Sequence, residues 1–358
     1  MSRNALQSIG ARRVLLLMPL LLPGFWFLCP LRVAAQFATA DDAARTTAAV
    51  AIVTDAQATE AFEPRPDRIA AMVREGVQRS TGAATVSAAW LSLLTRQDVV
   101  GLKVYSKPGA LSGTRPAVAA AVAQELIAAG LAASNIVIWD REEADLRDAG
   151  FFALAKALGV RVTGATAAGW DETNSYDSPI IGSLVYGDLE FGKQGEGVGR
   201  KSFVSKLVSQ ELTKIINITP LLNHNAAGVC GNLYSLAMGS TDNVLRFEGS
   251  RARLAVAVPE IYALPAIGDK VVFNITDALI CQYEGGQRGL LHYSAVLNQL
   301  RFSRDPVALD VLSLRELDAQ RRKARAPNLL LHPELYQNAA LLELGVADPG
   351  RIRISFLK

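Results

Sequence analysis

The stretch DVVGLKVY, residues 98–105, decides the fold. It is a β-branched apolar run followed by a loop rich in Pro, Gly and Ser at residues 106–113, which is the pattern of a buried strand. Arg115-Pro116 then opens an Ala-rich helix, with proline in the first turn, where its missing N–H is not needed. A second apolar run at residues 135–140 predicts the next buried strand. Strand, helix and strand together predict a βαβ unit.

The same alternation continues along the chain. Residues 145–158 are amphipathic and stop at Gly159, and a short strand is predicted at 160–162. This rhythm predicts right-handed crossovers and a mostly parallel sheet, that is, a three-layer α/β body. We therefore predict a single α/β domain over 63–358, with a loop-rich insertion around 163–200 and a loosely held lead-in at 41–62.

The first forty residues predict a signal segment that precedes this body. Arg12-Arg13 stand before an apolar run at 14–22, and Ala-x-Ala-like stretches follow, so cleavage is expected near residue 35 or 40. Prolines and a glycine interrupt the apolar run, which makes it a poor membrane span. The arginine pair also resembles a twin-arginine signal. We expect a periplasmic or secreted protein with no stable membrane span after cleavage, and an uncleaved anchor is the alternative.

Composition limits the partners and cofactors. The net charge is +3, but residues 1–40 hold four arginines and no acid, so the remainder has 33 basic and 34 acidic residues. Nothing here favours nucleic acid. After cleavage Cys230 and Cys281 remain, and the sequence leaves open whether they pair or stay as free thiols. Two cysteines do not make an iron–sulfur site, so no such cluster is expected.

Candidate site residues lie at the ends of the apolar strands, where ligands bind in open α/β sheets. The sequence lacks the nucleophile elbow, the phosphate loop and the His-Glu-x-x-His metal pair. What it offers instead is Lys103, Asp140 and Asp277 at strand ends, and the cluster Asn223-His224-Asn225 before a predicted helix at 226–238. An imidazole at a helix N-terminus can bind an anion or a metal, or transfer a proton. Capping by the asparagines and an exposed edge-strand lysine are the plain alternatives.

Taken together, these segments resemble the domain of unknown function 362 family. The resemblance covers roughly residues 98–320 and rests on the following stretches: 99–105, 114–116, 136–140, 216–218, 224, 227–229, 239–243, 260–270, 277, 282–286 and 305–310. The resemblance adds Asp242 to the candidate residues. It implies the fold and the location of the site more specifically than it implies a reaction. Some members carry a ferredoxin-like cysteine segment, which this sequence lacks.

Two departures from the family pattern bear on function. Asn223 stands where the family often has lysine, and Tyr234-Ser235 stand where it tends to have Lys-Asn. If those lysines bind an anion or take part in catalysis, this chain has a changed or lost activity.

Two functional hypotheses follow. In the first, the protein is an enzyme acting on an anionic small molecule, with His224 as general acid/base and Lys103 holding the anion. Asp140, Asp242, Asp277 and Asn225 would line the site, and a divalent metal held by His224 with Asp140 or Asp277 is a variant. In the second, it is a non-catalytic periplasmic binding protein for an acidic small molecule, which the missing lysines favour.

Overall fold

Apolar stretches with the β-branched character noted above form the strands of the protein. The computed structural model describes residues 47–326 and 333–358, all within one compact unit, Ala40–Lys358. Its strands are β1 (Ala48–Thr54), β2 (Thr59–Glu60), β3 (Glu63–Pro64), β4 (Val100–Lys103), β5 (Ile136–Asp140), β6 (Arg161–Gly164), β7 (Trp170–Asp177), β8 (Lys201–Ser205), β9 (Lys214–His224), β10 (Gly228–Val229), β11 (Val271–Gln282), β12 (Ser294–Ser303) and β13 (Ile352–Leu357).

Helices occupy most of the segments between these strands. They are α1 (Pro66–Thr81), α2 (Val86–Leu91), α3 (Pro116–Ala128), α4 (Glu143–Asp148), α5 (Phe151–Leu158), α6 (Ala165–Ala168), α7 (Asn232–Ser240), α8 (Leu245–Glu248), α9 (Arg251–Tyr262), α10 (Pro306–Lys323) and α11 (Glu334–Leu341). None of the helices in the described part of the chain has the length and apolar character needed to cross a membrane. The predicted signal segment lies outside the described residues.

The main sheet follows the order β13-β1-β12-β11-β9-β4-β5-β6, with β10 paired to β9. Strand β12 is antiparallel to β1 and β11, whereas the other neighbouring pairs along this order are parallel. Side chains alternate between the two faces of a strand, so each face has its own core. Leu102 and Ile138 pack in the core on one face, and Trp139 and Ile215 in the core on the other. The prediction of a three-layer α/β body with a mostly parallel sheet is confirmed.

The crossovers place a crevice between β4 and β9. The chain leaves β4 through α3, whose side chains join the core containing Leu102. It leaves β9 through α7 and α9, whose side chains join the opposite core. Loops that leave adjacent parallel strands toward opposite faces open a crevice at the carboxyl ends of those strands, and ligands bind in such crevices.

Two segments differ from their sequence-based interpretation. The loosely held lead-in predicted at 41–62 contains β1, which is mostly buried because distant strands, β12 and β13, pair with it on either side. The helix predicted at 226–238 begins only at Asn232, since residues 224–229 turn back as the β9–β10 hairpin. His224 therefore ends a strand at a tight turn, and the helix N-terminus that motivated an anion site there lies eight residues further on.

Candidate functional site

A cleft of about 490 Å³ opens at the carboxyl ends of β4 and β5, against helices α7 and α8. Its lining combines charged and apolar side chains: Tyr105, Lys107, Asp140, Arg141, Glu142, Asp145, Val185, Tyr234, Ser235, Met238, Gly239, Val244, Leu245, Glu248 and Gln287. The cleft lies beside the β4–β9 crevice, on the side of β4 that faces β5. Asp140 is the sequence-predicted site residue that lines this cleft.

Lys103 lies beneath the cleft as one half of a buried ion pair. Its side chain is fully buried, and its ammonium donates to Asp140 Oδ1 at 2.8 Å, to Ser235 Oγ at 2.9 Å and to the Val104 carbonyl at 2.7 Å. Burial lowers the pKa of Lys103, and the neighbouring carboxylate acts against that shift. An ammonium has three donors, so this network occupies all of them.

The other oxygen of Asp140 holds the loop that follows β4. Asp140 Oδ2 accepts from the backbone N–H and from the hydroxyl of Ser106, both at 2.7 Å. Helix α7 also needs a close approach here, because a Cβ on Gly239 would stand 2.5 Å from Cε of Lys103. Lys103 and Asp140 thus join three elements that form the cleft: the loop after β4, the end of β5 and α7.

On one wall of the cleft, Tyr234 and Glu248 are hydrogen-bonded to each other, and His224 contacts both of them. The Tyr234 hydroxyl donates to Glu248 Oε1 at 2.6 Å, and His224 Nε2 lies 3.6 Å from Glu248 Oε2. The two rings pack with centroids 4.3 Å apart. Burial acts to raise the pKa of Glu248, but the contacts with His224 and Tyr234 outweigh it, and the pKa lies below its usual range. Glu248 is therefore an ionised carboxylate on the cleft wall.

The backbone sets the state of the His224 ring. Nδ1 accepts from the N–H of Ala226 at 3.2 Å and of Ala227 at 2.9 Å. An acceptor nitrogen carries no proton, so this pattern assigns the neutral tautomer with the proton on Nε2, directed at Glu248. Nδ1 is thereby used within the protein, whereas Nε2 faces Glu248 from 3.6 Å.

The remaining sequence-predicted residues are spread over other contacts. The Asp277 carboxylate is fully buried and accepts from Arg115 Nη1 at 2.9 Å and from the Arg115 backbone N–H at 3.0 Å. Asp242 accepts from the N–H of Leu189 and of Phe203, and its burial raises its pKa to about 6. Asp277 thereby fixes the start of α3, and Asp242 fixes the loop at 178–200.

Asn225 belongs to a set of hydrogen bonds that holds the turn after β11. It is exposed, and its Oδ1 accepts from Nδ2 of the buried Asn223 at 3.1 Å. Asn223 Oδ1 in turn accepts from the N–H of Gly286 at 3.0 Å. Gln287, next along this turn, donates to the Tyr234 hydroxyl at 2.7 Å. The asparagine cluster therefore acts on the cleft through Gln287 and Tyr234.

Sequence reasoning missed most of the charged residues that line the cleft. Lys107, Arg141, Asp145 and Glu248 belong to loops or short helices and to no motif. Among the lining residues, Tyr234 was the one that the sequence could best have marked as a site residue, because it departs from the family pattern. Arg115 was noted as a helix start, and nothing in the sequence marks it as the partner of Asp277.

Ion pairs within the lining leave it with an excess of negative charge. Asp140 is neutralised by Lys103, and Glu142 lies 3.3 Å from Nε of Arg141. Two carboxylates of the lining, Asp145 and Glu248, then stand against one cation, the exposed Lys107. The cleft is therefore better suited to a positive charge than to a negative one.

Neither metal clusters nor a disulfide is found in the described residues. No three or more His, Cys, Asp and Glu side chains gather there as a metal site. Cys230 and Cys281 are both free and buried, and burial raises the pKa of both thiols. Their sulfur atoms are thus protonated and shielded from solvent.

Comparisons with known proteins give a family and no activity. A family model described as domain of unknown function (DUF362) matches residues 100–315, more than half of the chain. No curated protein matches. A crystal structure of a Thermotoga maritima protein is similar with 13% identity and a TM-score of 0.39, over 75% of this chain and 61% of that one. The chain thus spans less than two thirds of the length of that protein.

Proposed function

Because the chain belongs to the DUF362 family, whose name assigns no reaction, we propose a function from its own geometry: binding of a small molecule with a cationic group and an apolar body. The observation that carries the proposal is the cleft at the carboxyl ends of β4 and β5, where the ionised Glu248 and the carboxyl group of Asp145 form part of the wall. This proposal departs from the acidic ligand that the sequence favours, because the lining has an excess of carboxylates.

Glu248 supports the proposal through its unused acceptor capacity. A carboxylate has about four lone-pair sites. On Glu248 the Tyr234 hydroxyl takes one of them, and His224 Nε2 lies 3.6 Å from the other oxygen. An ammonium donor would therefore gain a charge-assisted hydrogen bond without displacing a protein contact. The apolar remainder of the lining, including Val185, Met238 and Leu245, suits a hydrocarbon body.

Binding without turnover is the reading that the contacts favour. The enzyme hypothesis gives His224 the role of acid/base, whereas Nδ1 accepts two backbone hydrogen bonds and Nε2 is directed at Glu248. Proton transfer at Nδ1 would first break both of these backbone hydrogen bonds. We also propose that the protein works outside the cytoplasm, on the strength of the predicted signal segment, and the N-terminal mass of the exported protein tests this.

The test uses three ligands that share an indole ring and differ in charge: tryptamine, tryptophol and indole-3-acetate. Isothermal titration at pH 7 is expected to give the lowest Kd for tryptamine and the highest for indole-3-acetate. Glu248→Gln should weaken tryptamine binding about tenfold, or ~1.4 kcal/mol, and leave tryptophol unchanged. Tighter binding of indole-3-acetate would overturn the cationic ligand and return the anionic one.

Lys107 supplies the matched control of opposite charge. Lys107→Gln removes the exposed cation beside the cleft and keeps the length of the side chain nearly the same. Tryptamine binding should strengthen or stay unchanged in this variant. A loss of affinity as large as that in Glu248→Gln would show that general disturbance of the cleft, rather than charge, controls binding.

Tryptamine affinity should also depend on pH through Asp145. Burial, followed by the nearby Asp140 carboxylate, raises the pKa of Asp145 above 3.8, although Lys107 acts against this shift. The carboxyl is charged only above this raised pKa, so affinity is present at neutral pH and falls as acid protonates Asp145. The pKa of Glu248 is lowered, so this carboxylate also stays charged at neutral pH.

The measurement is the Kd of tryptamine between about pH 7 and pH 4 for wild type and Asp145→Asn. Wild type should lose affinity in this range, and the variant should start weaker and change less. Identical pH profiles for the two proteins would remove Asp145 from the ligand contact.

A further inference from the structure

An exposed aromatic pair lies next to the cleft. Tyr186 is 91% exposed and Phe191 is 51% exposed, and their rings meet edge to face with centroids 6.0 Å apart. Large apolar side chains that gather on a surface usually mark a contact with something else. Tyr186 directly follows Val185, which is part of the cleft lining. The pair and the cleft are thus adjacent along the chain.

The segment that carries the pair is held by buried polar contacts. Asp188 accepts from the N–H of Val185 and from the N–H of Asn243, both at 2.9 Å. Asp242 accepts from the N–H of Leu189 at 2.8 Å. Trp170 donates its indole N–H to the carbonyl of Gly187. Residues 187–189 are thereby tied to the body, and Phe191 donates its N–H to the Asp188 carbonyl at 3.0 Å.

Apolar side chains are exposed both in the cleft lining and in the segment that carries this pair. Val185 and Leu245 belong to the lining and are 40% and 56% exposed. Asp145 and Glu248 supply the negative charge within the cleft, while Tyr186 and Phe191 supply apolar surface outside it. A ligand complementary to both parts has a cation at one end and an extended hydrocarbon at the other.

We infer that the Tyr186–Phe191 pair extends the cleft and binds the apolar end of an amphipathic amine that is longer than the cleft itself. This inference rests on the proposed function and adds the class of ligand: an amine joined to a long apolar chain or to a distant ring. The occupant is a single small molecule, whose ring or chain end would cover the exposed aromatic faces.

The experiment uses ω-phenylalkylamines with two to about eight methylenes between ring and amine, titrated against the whole protein. Once the ring reaches the aromatic pair, wild type should gain about fourfold in affinity per methylene, the value for a buried CH₂. In Phe191→Ala the short amines should bind as in wild type, while the gain for long amines is lost. Phe356→Ala, which removes an exposed phenylalanine from β13, is the matched control and should behave as wild type.

The possible outcomes distinguish a failure of this inference from a failure of the proposed function on which it rests. Equal chain-length dependence in wild type and Phe191→Ala overturns the inference and leaves the cationic ligand in place. Failure of the short amines to bind better than the matched ω-phenylalkyl carboxylates overturns the proposed function, and the inference with it. A third outcome combines two results: wild type binds neutral phosphatidylcholine vesicles whereas Phe191→Ala does not, and the two proteins have the same affinities for every amine. In that case the aromatic pair contacts a lipid surface and the inference is wrong.

Discussion

Replacing Lys103 with methionine is expected to lower the free energy of unfolding by about 3–5 kcal/mol, the cost of breaking a buried ion pair from one side. The substitution keeps the apolar length of the side chain and removes the ammonium. Asp140 then keeps its contacts with Ser106 but has lost its countercharge at a nearly buried position. Urea unfolding followed by circular dichroism measures the change.

The double variant Lys103→Met with Asp140→Asn is the control. Removing the stranded carboxylate should recover part of the lost stability, because the penalty comes mainly from an uncompensated charge. The opposite pattern, wild-type stability in Lys103→Met together with lost ligand binding, would restore Lys103 to the ligand-holding role that the sequence suggests.

Replacing Asp310 with alanine is expected to lower the free energy of unfolding by about 3 kcal/mol, because buried donors at the start of α7 lose their acceptor. Asp310 Oδ1 accepts from the backbone N–H of Asn232 at 2.7 Å and from its side chain at 2.9 Å, and Oδ2 accepts from the N–H of Leu233 at 2.9 Å. The carboxylate is buried on α10, so water would not replace it. Thermal and urea unfolding give the size of the loss.

Ser250→Ala is the comparison for an ordinary helix start. Ser250 caps α9 by accepting from the N–H of Arg253 at 3.4 Å, and losing such a cap costs about 1 kcal/mol. If both variants lose the same amount, Asp310 acts as a simple cap. A larger loss in Asp310→Ala, accompanied by weaker tryptamine binding, would show that the start of α7 supports the cleft.

The fold could be predicted from local patterns where strand and helix alternate with short connections. The run at 98–105 and the crossover through α3 to β5 repeat the periods that a βαβ unit requires. β1 could not be predicted in the same way. Its seven residues, AAVAIVT, are small and weakly patterned, and their burial depends on pairing with β12 and β13 far along the chain.

The candidate site was predicted by location more than by residue. The rule that ligands bind at the carboxyl ends of parallel strands finds the ends of β4 and β5, and Asp140 with them. It does not distinguish side chains directed into the cleft from side chains paired beneath it, such as Lys103, or paired elsewhere, such as Asp277. Lys103 is paired beneath the cleft partly through Ser235, and Asp277 is paired with Arg115. Only the tertiary structure brings these partners together.

The place of β1 in the sheet has a consequence for the order in which the protein is made. Ala51 pairs with Phe302 on one side and with Ser355 on the other. A ribosome releases β1 long before either partner strand exists, so this strand must wait, unpaired, until nearly the whole domain has been synthesised. Such distant pairings slow folding and prolong the time in which a strand edge is exposed. The sheet therefore cannot close around β1 until β13 has left the ribosome.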